Sequence, residues 1–183
     1  MSLADRHAQA LELTRATYAE LLLCADPANV HWLTGVATEL ESGPSPFAPP
    51  PLALLGDGAV RLIAAAEDLP ETLPAEVVAL PYEGFTSGPL RGAEHAAALL
   101  AEALDGPRRV AVDSPLARGL LAPTVATADL SGTLLDARAV KDALALDGLR
   151  AALAVADDGQ AALRAAVADA AGTAAGRSEI ELF

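Results

Sequence analysis

Apolar positions come in short, interrupted runs over most of this chain and in one long periodic series near its end. Residues 3–16 (LADRHAQALELTRA) place Leu3, Ala10, Leu11 and Leu13 near helical spacing with charges between, which predicts an amphipathic opening helix. Ala19–Cys24 is an apolar run closed by Asp26-Pro27, the pattern of a buried strand ending in a turn. Asn29–Thr34 predicts a short helical turn, ended by Gly35. Leu52–Leu55 and Val60–Ala64 flank Gly56-Asp57-Gly58, and glycine and aspartate tolerate the backbone angles of a tight turn, so a hairpin is expected. Val77–Leu80 predicts a further strand, stopped by Pro81. Residues 91–104 (RGAEHAAALLAEAL) predict a helix and Arg108–Val112 a strand; Ser114-Pro115 starts a helix reaching about Ala122. Thr124–Thr127 and Thr133–Leu135 are candidates for two more strands. Strands alternating with helices place the chain in the α/β class, and the hairpin requires a mixed sheet.

Two segments depart from this alternation. In Val36–Pro51 five prolines (Pro44, Pro46, Pro49, Pro50 and Pro51) fall within eight positions. Proline fixes φ and donates no amide hydrogen, so this stretch is a stiff loop. After Pro123 there is no proline. From Asp142 to about Ala171 the residues are helix formers, with Leu146, Leu149, Leu153, Ala156, Leu163, Val167 and Ala170 at 3–4 spacing and Gln160 in the same seam. About 30 residues at 1.5 Å each give a helix on the order of 45 Å long. Such a helix is either a long core helix or a strut to something else. Ser178-Glu179-Ile180-Glu181 has the form of a capping box, which starts a helix, yet Phe183 follows two residues later. One turn of helix has no stability of its own, so the strut is favoured and the chain is expected to be cut where another domain begins.

The 183 residues suffice for one domain with a real core. Hydrophobic residues are 52% and aromatics 3%, so that core is built mainly from Ala, Leu and Val. The net charge is -13, and Lys141 is the only lysine among twelve basic residues. Such acidity repels phosphate backbones and lacks any polybasic anchor, which argues against nucleic acid and membrane as partners. Cys24 is the only cysteine, so an internal disulfide and a thiolate metal cluster are both excluded, and a cytoplasmic location is expected. Met1–Ala10 carries Asp5, Arg6 and His7 and is not a signal peptide; no apolar run reaches transmembrane length.

Candidate chemistry is sparse. His7, His31 and His95 are widely separated and outside any metal-binding spacing; His7 and His95 fall on predicted surface helices and read as solvated residues. Asp157-Asp158 point about 100° apart on a helix and read as a solvated face. No GxSxG, GxGxxG or GxxxxGK[ST] motif is present, and Cys24 in an apolar strand reads as a small hydrophobe. Asp26 and Asp113 each follow a predicted strand. Strand-end carboxylates hold cations in nucleases; the competing reading is turn and helix capping.

Two segments carry a family resemblance. Asp26-Pro27-Ala28-Asn29-Val30-His31-Trp32-Leu33-Thr34-Gly35 resembles the N-[IV]-x-[YW]-L-T-G signature in the amino-terminal domain of creatinase, prolidase and aminopeptidase P relatives. Arg138-Ala139-Val140-Lys141, then Leu149-Arg150, then Gly176-Arg177-Ser178-Glu179, resembles the passage leading from that domain into the catalytic one. Ala175 stands where the family usually has proline.

The resemblance implies a ribonuclease H-like mixed sheet flanked by helices, over residues 1–137, followed by a linker helix and the start of the catalytic domain over 138–183. It implies a parent Xaa-Pro dipeptidase or aminopeptidase whose pita-bread domain holds two divalent metal ions (Mn, Co or Zn) through two Asp, one His and two Glu. All five ligands fall beyond Phe183, so no catalytic or metal residue and no cofactor is expected in this chain, and the chain alone is expected to be inactive. What remains for it is homodimerisation, docking of its own catalytic domain, and shaping access for proline-containing peptides. His31, Glu39, Glu41 and Phe47, in and before the Val36–Pro51 loop, are the candidate substrate-access residues. Trp32 and Leu33 are expected in the core. Two other readings stay open: a standalone interaction or dimerisation module without chemistry, and a small α/β nuclease or phosphotransferase.

Overall fold

The computed structural model describes residues 2–36, 49–56, 59–84, 91–104 and 108–171. These form two compact units, Met1–Val140 and Lys141–Phe183.

The first unit begins with α1 (Leu3–Ala16). Ser2 Oγ accepts the Asp5 amide at 3.2 Å, and Asp5 Oδ2 accepts the Ser2 amide at 2.6 Å, closing a capping box at its start. β1 (Leu21–Cys24) follows, then α2 (Pro27–Thr34), the hairpin strands β2 (Leu52–Gly56) and β3 (Ala59–Ala65), and β4 (Val77–Tyr82). The remainder is α3 (Gly92–Leu104), β5 (Val110–Val112), α4 (Pro115–Gly119), β6 (Thr127–Asp129) and α5 (Ser131–Ala139).

The six strands form one sheet in the order β4-β3-β2-β1-β5-β6. β2 runs antiparallel to β1 and β3, whereas β1/β5, β3/β4 and β5/β6 are parallel. The expected mixed α/β sheet is therefore present, with the hairpin closing on Gly56 opposite Ala59. A Cβ on Gly56 would run into Leu21 Cδ2, which is why the smallest residue ends β2 beside β1.

Strand alternation distributes the apolar runs over two cores. Leu22 and Cys24 of β1, Ala53 and Leu55 of β2, and Val60 and Leu62 of β3 pack with Ala10, Leu11, Val30, Leu33 and Leu134 from α1, α2 and α5. Leu21 and Leu23, Leu52 and Leu54, and Ile63 and Ala65 face the other way, against Ala96, Leu100 and Leu104 of α3 and Ala117 of α4. A run such as Leu21-Leu22-Leu23-Cys24 is continuous because both faces of its strand are covered.

Four elements differ from expectation. β4 does not stop at Pro81 but runs through it to Tyr82, because an edge strand tolerates a missing amide donor. The strand expected at Thr124–Thr127 is Thr127–Asp129. Thr133–Leu135 lies within the helix α5, where the buried Leu134 contributes to the core, and not in a strand. Asp129 Oδ1 accepts the Ser131 amide at 2.9 Å, turning the chain immediately after β6. α4 ends at Gly119 and does not reach Ala122.

The second unit contains α6 (Ala143–Ala171), 29 residues that continue through Gly148 and Gly159. Nothing lies within 4 Å of a Cβ added at either glycine. Asp157 and Asp158 are exposed, as expected for a solvated face. Among the described residues, no helix is long and apolar enough to cross a membrane.

Candidate functional site

The part of the first unit that carries the N-x-x-W-L-T-G residues is α2 and the turns at its ends. Asp26 caps the helix: its Oδ1 accepts the amides of Ala28 (2.9 Å) and Asn29 (3.2 Å), while Pro27 occupies the first turn, where its missing N–H is no loss. Gly35 ends it in the left-handed conformation at φ 69°, donating its amide to the His31 carbonyl at 2.8 Å.

Both ends of α2 are tied to distant parts of the chain. At the amino end, the parallel pairing of β1 with β5 sets Leu23 opposite Val112, which brings Asp113 beside the exit from β1. The buried Asp113 carboxylate accepts the amides of Ala25 (2.9 Å) and Asp26 (3.0 Å) and the side-chain amide of Asn29 (2.9 Å). Asp113 is thus a crosslink and caps no helix; Ser114 does that for α4, its Oγ accepting the Ala117 amide at 3.2 Å. Burial pushes the Cys24 thiol well up, and a hydrogen bond and repulsion from Asp113 add to this. Cys24 is a protonated core residue and no nucleophile.

At the carboxyl end of α2, His7 Nε2 donates to the Leu33 carbonyl at 2.6 Å, and Arg6 Nη1 to the Trp32 carbonyl at 3.3 Å. The last carbonyls of a helix lack intrahelical donors, and these two side chains supply them. His7 is 4% exposed, which corrects its reading as a solvated residue: it points from α1 onto α2. His95 is half-buried, with Nδ1 donating to the Glu83 carbonyl at 3.1 Å.

The segment after Gly35 is anchored where it leaves α2 and where it returns. The Val36 amide donates to Thr34 Oγ1 at 3.1 Å, and His31 Nδ1 donates to the Val36 carbonyl at 3.0 Å. The Tyr82 hydroxyl donates to the Pro49 carbonyl at 3.4 Å. Of the four candidate access residues, His31 is exposed at the foot of this segment; Glu39, Glu41 and Phe47 lie outside the described residues. Trp32 and Leu33 are buried in the core. Among the described residues, no group of three His, Cys, Asp or Glu is placed to hold a metal ion, so a dinuclear centre does not fit them.

No protein-family model matches the sequence, and no curated protein matches it. Solved structures do match. The prolidase from Pyrococcus horikoshii OT3 superposes with a TM-score of 0.62 at 14% identity, over 97% of this chain and 46% of that one. The prolidase from Thermococcus sibiricus gives 0.58 at 17% identity, over 100% and 47%. A proline dipeptidase structure from Streptococcus pneumoniae gives 0.53 at 19% identity, over 74% of this chain and 98% of that one. The fold is the one shared with these prolidase and proline dipeptidase structures. At these identities the likeness is one of fold, and the chain spans about half the length of the two prolidases. In this chain the N-x-x-W-L-T-G residues build a double anchorage: Asn29 is bound to Asp113, and Thr34 holds the start of the loop.

The Asp113 and His7 contacts were not read from the sequence. The signal available was Asp113 itself, a lone acidic residue closing an apolar strand; its donors lie 84 to 88 residues earlier.

Proposed function

We propose that this chain is the non-catalytic amino-terminal part of an Xaa-Pro dipeptidase or aminopeptidase-like metallopeptidase. In this reading the longer polypeptide is cytoplasmic and cleaves Xaa-Pro peptide bonds with a pita-bread domain holding two divalent metal ions. Residues 1–137 form the creatinase-like domain, and 138–183 lead into the catalytic one. The domain serves homodimerisation and shapes access of proline-containing peptides through the Val36–Pro51 loop, with His31 at its foot. The observation that supports this reading is the fold, shared with two prolidases over nearly all of this chain. The Arg138-to-Glu179 passage supports it independently of the fold.

The coding sequence beyond Phe183 tests the proposal: two Asp, one His and two Glu in the pita-bread arrangement are expected there. The purified 183-residue chain is expected to release no proline from an Xaa-Pro dipeptide with added manganese, cobalt or zinc. Hydrolysis by the chain alone would overturn the non-catalytic assignment. A second reading, an interaction module without associated chemistry, is favoured by the exposed apolar residues of α6. A continuation lacking the five ligands would decide for it.

A further inference from the structure

At the carboxyl ends of β1 and β5 the chain turns to opposite sides of the sheet. α2, which follows β1, packs Val30 and Leu33 into the first core; α4, which follows β5, packs Ala117 into the second. The two strands are adjacent and parallel, so the chain parts there around a crevice, the place where open α/β sheets take ligands. The buried Asp113 carboxylate stands in it. The successive amides of Ala25 and Asp26 and the side-chain amide of Asn29 converge on this carboxylate at 2.9, 3.0 and 2.9 Å, and the Cys24 thiol is hydrogen-bonded to it as well. Successive backbone N–H groups aimed at one point form an anion-binding concavity. Asn29 is 3% exposed, and among the described residues its Oδ1 receives no hydrogen bond, so the anion fixes which way this amide points.

We infer that this crevice is a carboxylate-binding site which the chain fills with its own Asp113, and that the free ligand it accepts in place of that side chain is a monocarboxylate no larger than formate or acetate. All four donors belong to the segment from β1 into α2, whereas the carboxylate comes from the end of β5, so removing the carboxylate leaves the donor set in place. The Asp113 amide is separately bonded to the Leu23 carbonyl at 3.3 Å, which holds the strand end without the side chain. Asp113→Ala leaves room for formate, since alanine keeps the Cβ. Asp113→Gly leaves room for acetate, whose methyl group takes the place of the Cβ. In the native chain the converging N–H groups turn their positive ends to this point, so Asp113 is closed to a cation and the crevice to a free anion. That removes Asp113 from the nuclease or phosphotransferase reading. Asp26, the other strand-end carboxylate of that reading, has Oδ1 engaged by two amides of α2.

Urea melts of the full chain at constant ionic strength, with sodium formate replacing sodium chloride, are the test. The Asp113→Ala midpoint is expected to rise saturably with formate, with a gain of at least about tenfold in the folding constant, while the native midpoint does not follow. Asp113→Gly should respond to acetate and Asp113→Ala far less. In Asp113→Ala/Asn29→Ala one donor is gone, and formate should bind about tenfold more weakly. If Asp113→Ala does not fold by itself, its refolding yield by circular dichroism, in formate against chloride, carries the same comparison. A formate effect equal in the native and variant chains, or a rescue indifferent to Asn29, would reduce the site to a general salt effect and overturn it. No rescue in melts or in refolding would overturn it as well. Manganese or magnesium binding to the native chain that Asp113→Asn abolishes would make Asp113 a metal ligand and overturn its role as the resident anion.

Discussion

Asn29, in the first turns of α2, donates its side-chain amide to the Asp113 carboxylate at 2.9 Å across 84 residues of chain. The same carboxylate holds the amides of Ala25 and Asp26, so one buried anion fixes where the chain leaves β1 and enters α2. Hydrogen bonds to a charged acceptor contribute more than neutral ones, and donors left buried without it carry the full desolvation cost. Asp113→Ala is therefore expected to destabilise the chain by about 3 kcal/mol and Asn29→Ala by about 1–2 kcal/mol. In a urea-melt double-mutant cycle the two should fall short of additivity by about 1 kcal/mol. Strict additivity would show that the pair is not coupled.

Alkaline pH should weaken the fold. The Cys24 thiol is pushed well above its ordinary 9.0 by burial, with Asp113 and Asp26 adding to the effect and Arg138 opposing it. The Tyr82 phenol is pushed up to about 12 by burial and by Asp68 and Glu67. Each group holds its proton more tightly folded than unfolded. The stabilisation is complete below the unfolded pKa values and is lost as pH rises through and above them. Urea midpoints should thus fall between pH 8 and pH 11, and the fall should be shallower in Cys24→Ala/Tyr82→Phe. An identical slope in that variant would exclude these two groups as the cause.

At the junction of β2 with β1 an added side chain forces Leu21 to move. Gly56→Ala places a methyl group against Leu21 Cδ2, and Leu21 is itself buried in the second core. Overpacking of this kind is expected to cost about 1–3 kcal/mol. Leu21→Ala combined with Gly56→Ala should then lose less than the sum of the single changes, which thermal melts can read. A neutral Gly56→Ala would mean that the strand ends shift apart freely.

If the chain continues as proposed, the Val36–Pro51 loop carries a functional prediction for that polypeptide. It carries Glu39 and Glu41 and no basic residue. Its prolines limit the entropy lost in holding a position, and carboxylates can orient the α-amino group of a peptide. Glu39→Ala, Glu41→Ala or a shortened loop should lower kcat/KM for Xaa-Pro substrates while metal content and folding stay normal. Unchanged kinetics in all three variants would remove the loop from substrate access.

Local pattern settled a good deal of this protein. The hairpin of β2 and β3, the opening helix, α2 behind Asp26-Pro27 and the length of α6 all follow from periodicity, turn chemistry and caps, which act within a few residues. The assignment of Thr133–Leu135 to a strand failed because β-branched and apolar residues favour strands only weakly, and burial of Leu134 in a helical frame outweighed that preference. The sequence also made His7 and Asp113 visible as residues. Only the folded chain decided that His7 closes the end of α2 at Leu33 and that Asp113 holds its beginning at Ala25 and Asp26. The physical reason is distance along the chain. A cap is specified by neighbours three residues away, whereas these polar groups find their partners 26 to 88 residues away, and only sheet order and helix packing bring them within hydrogen-bond reach.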